Sequence, residues 1–265
     1  MFGKQRWFSL VLGVLSICFI LAGCSGSKSL PVGPGAEWDL VIIGDSSMWE
    51  LGEAFADQIE RDTGVTVTVH DFANNAASAG EVLSVLRTGK STNSRNEGLP
   101  DAIKTAEILV MNLNLEESID PQNPVNLDGC FLMMTPGNCS PEAFEKYSSD
   151  LEEIWKEIFK LRKGNPIVLR ATDLYTPLVS QWKQNGVFAE CIECWEELSL
   201  AAQKAAEVYG IPFLHRLDAF NGPAHDEDPV EKGYISEDGE HPSLSGAQFT
   251  AGLLSQMGYD PVPVP

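Results

Sequence analysis

Two short segments at opposite ends of the chain hold the residue types of acyl-transfer chemistry. Gly44-Asp45-Ser46-Ser47 follows an apolar run and opens a helix-like one, so the Ser46 hydroxyl stands on a strand-to-helix turn. At such a turn the first helical N–H groups lack intrahelical partners and can stabilise a developing oxyanion. Gly-Asp-Ser is also ordinary turn and N-cap vocabulary, so this segment alone names no activity. Near the C-terminus, Asp238-Gly239-Glu240-His241 places a carboxylate three residues before an imidazole. A carboxylate so placed can fold back onto one ring nitrogen and leave the other to take a proton. The serine, the base and its orienting group are thus all present.

The elements that must position them alternate strand-like and helix-like runs, as in a parallel sheet covered on both faces. Residues 38–44 (WDLVIIG) read as a doubly covered strand, and 48–63 as a helix with Trp49, Phe55 and Ile59 along one side. Residues 65–72 alternate, as a strand nearer an edge does, and 80–87 read as a helix with Val82, Val85 and Leu86 inward. A third strand is expected over 108–112, a helix over 141–163 capped by Ser140, and a fourth strand over 167–171. A helix over 191–209, a fifth strand over 211–217, an acidic loop and a last helix over about 243–257 complete the pattern. Residues 114–140 and 172–189 are insertions, and aperiodic loops of that length in compact domains are usually functional.

On these motifs the chain resembles the GDSL/SGNH hydrolases. The resemblance implies a flavodoxin-like, three-layer α/β/α fold with a five-stranded parallel sheet. It matches Ser46 to the nucleophile and Asp238 and His241 to the other triad members. Asn74-Asn75-Ala76-Ala77-Ser78-Ala79-Gly80 resembles the family's second block, with Gly80 as a backbone oxyanion donor. Asn112-Leu113-Asn114-Leu115 resembles the third, usually Gly-x-Asn-Asp, with Asn114 as the side-chain donor. Three positions depart from the family: Asn112 replaces the Gly, Leu115 the Asp, and Ser47 the commoner Leu. In open α/β sheets, sites form outside the carboxyl ends of the strands. Ser46, Gly80 and Asn114 follow the first three strands, and Asp238 and His241 follow the fifth, so all fall on one rim. The implied reaction is hydrolysis of carboxylic (acyl or acetyl) esters through an acyl-enzyme, with Ser46, Gly80 and Asn114 forming the oxyanion hole. The substrate would be a small-molecule or glycan ester.

Composition limits the alternatives. The 265 residues carry 38 Asp plus Glu against 18 Lys plus Arg, a formal charge of -20. Such an excess speaks against nucleic acid as a partner, since no basic stripe is available to neutralise phosphates. Lys4 and Arg6 precede an apolar run over residues 8–22, shorter than the roughly 20 residues of a membrane span and suited to a signal peptide. Leu21-Ala22-Gly23-Cys24 looks like a bacterial lipobox. The expected organisation is a lipoprotein signal over 1–23, a flexible tether over 24–36 and a single domain over 37–265. The protein would be exported and held at the cell envelope by lipid on Cys24.

In an oxidising compartment the remaining cysteines, Cys130, Cys139, Cys191 and Cys194, read as two disulfides. Four cysteines allow three connectivities, of which the sequence-local one pairs Cys130 with Cys139 and Cys191 with Cys194. A four-cysteine zinc site is the sharper alternative, but eight residues between the first two cysteines is wide for a knuckle. No residues call for a metal or an organic cofactor. Thr88-Gly89-Lys90-Ser91 lacks the first glycine of a phosphate loop, and no Gly-x-Ser-x-Gly occurs, Met48 filling its last position. His225-Asp226-Glu227-Asp228 reads as a solvated charged run, His70 and His215 as structural, and the Trp residues at 155, 182 and 195 as core. Two rivals carry the same residues: an O-acyltransferase acting on extracellular polysaccharide, and a non-catalytic binding lipoprotein.

Overall fold

The computed structural model describes residues 30–75, 77–91, 94–115, 130 and 139–263. The expected signal segment, Cys24 as the expected lipid site and most of the first insertion lie outside them. Five strands form one sheet in the order β2-β1-β3-β4-β5, all pairs parallel. They are β1 (Glu37–Gly44), β2 (Thr66–Asp71), β3 (Ile108–Asn112), β4 (Val168–Thr172) and β5 (Phe213–Leu214). Eight α-helices are described: α1 (Leu51–Thr63), α2 (Ala79–Thr88), α3 (Leu99–Thr105), α4 (Pro141–Arg162), α5 (Val179–Asn185), α6 (Phe188–Glu207), α7 (Arg216–Asn221) and α8 (Leu244–Gln256). Among the described residues, no helix is long and apolar enough to cross a membrane.

Side chains of a strand point alternately to its two faces, and both faces of β1 are buried, hence the unbroken apolar run. Val41 and Ile43 join Leu109, Met111 and Leu169 under α2, α3, α4 and α6. Leu40 and Ile42 join Ile108, Val110 and Val168 under α1 and α8. The result is the expected three-layer α/β/α arrangement. Trp155, Trp182 and Trp195 are fully buried, as expected. Each such indole removes about 150–250 Å² from water, which makes the α4–α6 layer the heaviest part of the core. Edge strand β2 is the less buried one, and its His70 pairs with Asp39 of β1 at 3.0 Å.

Several boundaries differ from the sequence reading. The fifth strand is two residues long, because α7 begins at Arg216. His215 therefore caps a helix, with its side chain 41% exposed, rather than lying in a strand. The buried Asp173 carboxylate accepts the Arg216 and Leu217 N–H groups at 2.5 and 3.1 Å and so pins that helix start. Helix α3 and the short α5 lie in stretches that lack a full helical period, and α6 begins three residues earlier than expected. The first helix does not start at Met48. A 3-10 turn, Ser46–Met48, comes first, and α1 follows only after Trp49 and Glu50.

The disulfides are Cys130–Cys191 and Cys139–Cys194, with Cα atoms 5.1 and 5.7 Å apart, so the sequence-local pairing is not the one formed. Cys191 and Cys194 lie one turn apart on the buried side of α6, both facing the segment that precedes α4. Each is thereby presented to a different cysteine of that segment.

Candidate active site

The end of β1 is built for close approach. A Cβ on Gly44 would stand 2.3 Å from Met48 Cγ and 2.8 Å from the Asn112 carbonyl oxygen, so only glycine lets the 3-10 turn fold back here. Asp45 caps that turn, its carboxylate accepting the Ser47 N–H at 2.9 Å. The Met48 N–H reaches the Asp45 carbonyl at 3.1 Å and the Trp49 N–H the Ser46 carbonyl at 3.2 Å. Asp45 is 2% exposed, and burial pushes its carboxyl above the usual range despite the Ser47 hydrogen bonds and the charge of Arg216. Ser46 itself stays partly open to solvent.

The histidine segment explains its own spacing. Ser236 and His241 close a turn, the Ser236 N–H donating to the His241 carbonyl at 2.9 Å, and Ile235 bridges Pro242. Within it, one oxygen of Asp238 accepts the backbone N–H groups of Glu240 and His241 at 2.9 and 3.0 Å. The other oxygen meets His241 Nδ1 at 2.9 Å. The two backbone donors hold the Asp238 carboxyl well below the usual carboxylate range. With Nδ1–H directed at that carboxylate, Nε2 is the nitrogen left to take a proton. Below this turn, a Cβ on Gly246 would stand 2.2 Å from the Tyr234 carbonyl oxygen, so α8 packs directly against the segment that carries His241.

Ser46 and His241 line one small cleft with Asp45, Leu174, Tyr175 and Glu240. Among the described residues no hydrogen bond joins the Ser46 hydroxyl to His241. Such contacts are often loose in an empty site and tighten around substrate. A larger cavity lies elsewhere, between α4 and α6 beside Cys139–Cys194, lined among others by Glu145, Ser148 and Glu193.

Gly80 and Asn114 are not among the residues lining that cleft, and the segments that carry them are bonded to each other. The Ala79 N–H donates to the Asn114 carbonyl at 3.1 Å, and the Asn114 N–H to the Ala77 carbonyl at 3.0 Å. Gly80 is the second residue of α2, whose first-turn N–H groups have no intrahelical acceptor. The Asn114 side-chain oxygen accepts the Leu115 N–H at 2.9 Å, so the NH₂ end of its amide is left as a donor. Both segments are tied to the turn that carries Ser46. The Asn74 N–H bonds the Gly44 carbonyl at 3.0 Å, and Asn112 Nδ2 bonds the Ser47 hydroxyl at 2.9 Å.

That last contact accounts for two of the three departures from the resembled motifs. Gly44 and Asn112 are register partners across β1 and β3, so a side chain at 112 meets the residues after Gly44. Asn112 and Ser47 are each other's polar partner. Leu115, the third departure, is 4% exposed and packs into the larger core.

Arg216 is the site-supporting residue that sequence reasoning missed. It is 1% exposed and donates to the Ser47 carbonyl at 2.8 Å, and its guanidinium lies over the Tyr175 ring at 4.9 Å. Burial lowers its pKa, and Tyr175, Asp45 and Asp173 act in the opposite direction. The signal available was a lone arginine within the run 211–217 expected as a strand. The His225 run is ion-paired rather than merely solvated. His225 meets Glu196 at 2.8 Å and Asp218 at 2.6 Å, and among the described residues no cluster suits a metal ion.

No protein-family model matches the chain, and no curated protein matches it either. Solved structures do. The lipase Lip_vut3 from a goat rumen metagenome superposes with a TM-score of 0.58 at 16% identity, covering 84% of this chain and 98% of that one. A lipase/acylhydrolase from Enterococcus faecalis gives 0.53 at 16% identity, covering 84% and 95%. TesA gives 0.52 at 12% identity, covering 83% and 99%. At these identities the likeness is one of fold, and over most of its length this chain has the α/β/α fold of those enzymes.

Proposed function

We propose that the chain is a serine esterase of the GDSL/SGNH kind, acting on neutral carboxylic esters. The observation that carries this reading is that His241, bonded to Asp238, lines the same cleft as Ser46 at the carboxyl rim of the sheet. A binding module has no need of all three groups. In the proposed reaction His241 Nε2 takes the Ser46 proton as the oxygen attacks the ester carbonyl. The N–H groups of Ser46 and Gly80 and the Asn114 amide receive the oxyanion. The imidazolium returns its proton to the leaving alcohol, and water, activated by the same nitrogen, releases the acid. Asp238 keeps the ring in one tautomer and stabilises its cation.

The cleft supports a short acyl group, and its wall is apolar at Leu174 and Tyr175 and acidic at Glu240. With Glu240 in its wall and Asp238 near by, the site disfavours anionic substrates. Export on a signal peptide and anchoring through Cys24 belong to the same proposal, and they place acetylated envelope sugars among the candidate substrates.

The test uses residues 25–265, oxidised, with p-nitrophenyl acetate and butyrate. Turnover that Ser46→Ala and His241→Ala both abolish supports the esterase. Transfer to an added sugar faster than to water would instead make it an acyltransferase. No Ser46-dependent turnover, together with no labelling of Ser46 by a fluorophosphonate, leaves a binding protein on a hydrolase fold.

A further inference from the structure

A helical reading of residues 48–63 turns Trp49 inward, yet the structure places it on the catalytic rim. The 3-10 turn ends at Met48, and Glu50 adopts a left-handed conformation at φ 63° before α1 begins. Between these two breaks the indole of Trp49 lies against the imidazole of His241, ring centroids 4.3 Å apart and planes 20° from parallel. We propose that Trp49 is a positioning residue for His241, holding the imidazole plane so that Nε2 stays directed at the nucleophile. This rests on the esterase reading above.

The histidine needs such a hold. Its segment is a surface turn, and the Asp238 side chain is 50% exposed, so their contact sits in high dielectric where charged contacts restrain little. A single contact at Nδ1 also leaves the ring free to tilt about that bond. A face-to-face indole removes the tilt. It does so from a fixed place, because the Trp49 N–H is bonded to the Ser46 carbonyl at 3.2 Å and both residues ride on one turn. The stack also discriminates between states. When the ring takes the Ser46 proton it becomes a cation over an aromatic face, an attraction absent from the neutral ground state. Interactions stronger in the transition state than before it raise kcat rather than lower KM.

The experiment compares Trp49→Leu and Trp49→Phe with the disulfide-intact full-length protein in detergent, and runs Ser46→Ala in parallel. Steady-state kinetics with p-nitrophenyl acetate are measured at 20 °C, and thermal melts confirm that each variant is folded there. The expected result for Trp49→Leu is a kcat lower by about tenfold with KM within twofold, the size of a modest cation–π term. Trp49→Phe, which keeps an aromatic face, should retain at least half of the wild-type kcat. The upfield ring-current shift of the His241 ring protons should be present in the wild type and lost in Trp49→Leu. A kcat for Trp49→Leu within twofold of wild type overturns the proposal, and so does a Phe variant as slow as the Leu variant. A raised KM with unchanged kcat overturns it in favour of a substrate contact. Wild-type turnover no greater than that of Ser46→Ala overturns the esterase reading itself, and the positioning role with it.

Discussion

Arg216 offers the most direct test of how the Ser46 turn is held. Replacing it with Met keeps roughly the length and removes the charge. The Ser47 carbonyl then loses its donor at 2.8 Å, and the Ser47 hydroxyl and Met48 sulfur lose contacts at 3.4 Å. A hydrogen bond from a charged donor contributes about 1.5–3 kcal/mol, and a desolvated cation over aromatic rings, here Tyr175 and Phe220, adds up to about 2 kcal/mol. Asp45 and Asp173, both buried, also lose the attraction of this cation. Against this stands the cost of keeping a guanidinium out of water, with Nε unpaired. The balance is a loss of about 3 kcal/mol, inside the roughly 3–5 kcal/mol typical of removing one member of a buried charged set. At about 2–4 °C per kcal/mol for a domain of this size, the melting temperature should fall by about 6–12 °C. Calorimetry at pH 7 on wild type, Arg216→Met and Arg216→Lys reads this directly, with the lysine variant in between. An Arg216→Met protein as stable as wild type would show that desolvation cancels these contacts, and the reasoning would fail.

Three further outcomes follow from particular contacts. Glu50→Gly should stabilise the fold by about 1 kcal/mol in urea unfolding, since a non-glycine residue at φ 63° costs roughly 1–2 kcal/mol and the lost charge at the start of α1 is worth only a few tenths. For His225, burial disfavours the cation, but the bonds to Asp218 and Glu196 outweigh it and raise the pKa. The melting-temperature gap between wild type and His225→Asn should therefore be widest below about pH 6.5 and close as pH rises through the elevated native value. Asn114→Ala should lower kcat on p-nitrophenyl acetate by about 10²–10³ with little change in melting temperature, and an unchanged kcat would remove Asn114 from the oxyanion hole.

The sheet was legible because the interior strands β1 and β3 carry nearly continuous apolar runs with both faces buried, a pattern that helices of this length do not share. The site was legible where chemistry and local geometry coincide: Asp238 reaches both the His241 N–H and its ring because a tight turn demands that spacing. What stayed hidden depends on distant partners. Asn112 and Ser47 look like separate departures until strand register brings them within 2.9 Å. Trp49 fits a helical period, and only the break at Glu50 turns it toward His241. Arg216 shows no motif at all, since a buried cation is defined by the carbonyls and rings that surround it.

The disulfide pattern bears on how the protein must acquire its structure. Chain statistics favour the bond between Cys130 and Cys139, with eight residues between them, whereas the bonds formed span 61 and 55 residues. Closing the longer loops in an unfolded chain is less favourable by about 1–2 kcal/mol. Random oxidation would therefore populate the wrong pairs, and the observed ones must be chosen by α6 already lying against α4. Packing comes first and oxidation records it. An oxidant that acts before these helices dock should trap mispaired protein, and recovering the native bonds would then require thiol exchange.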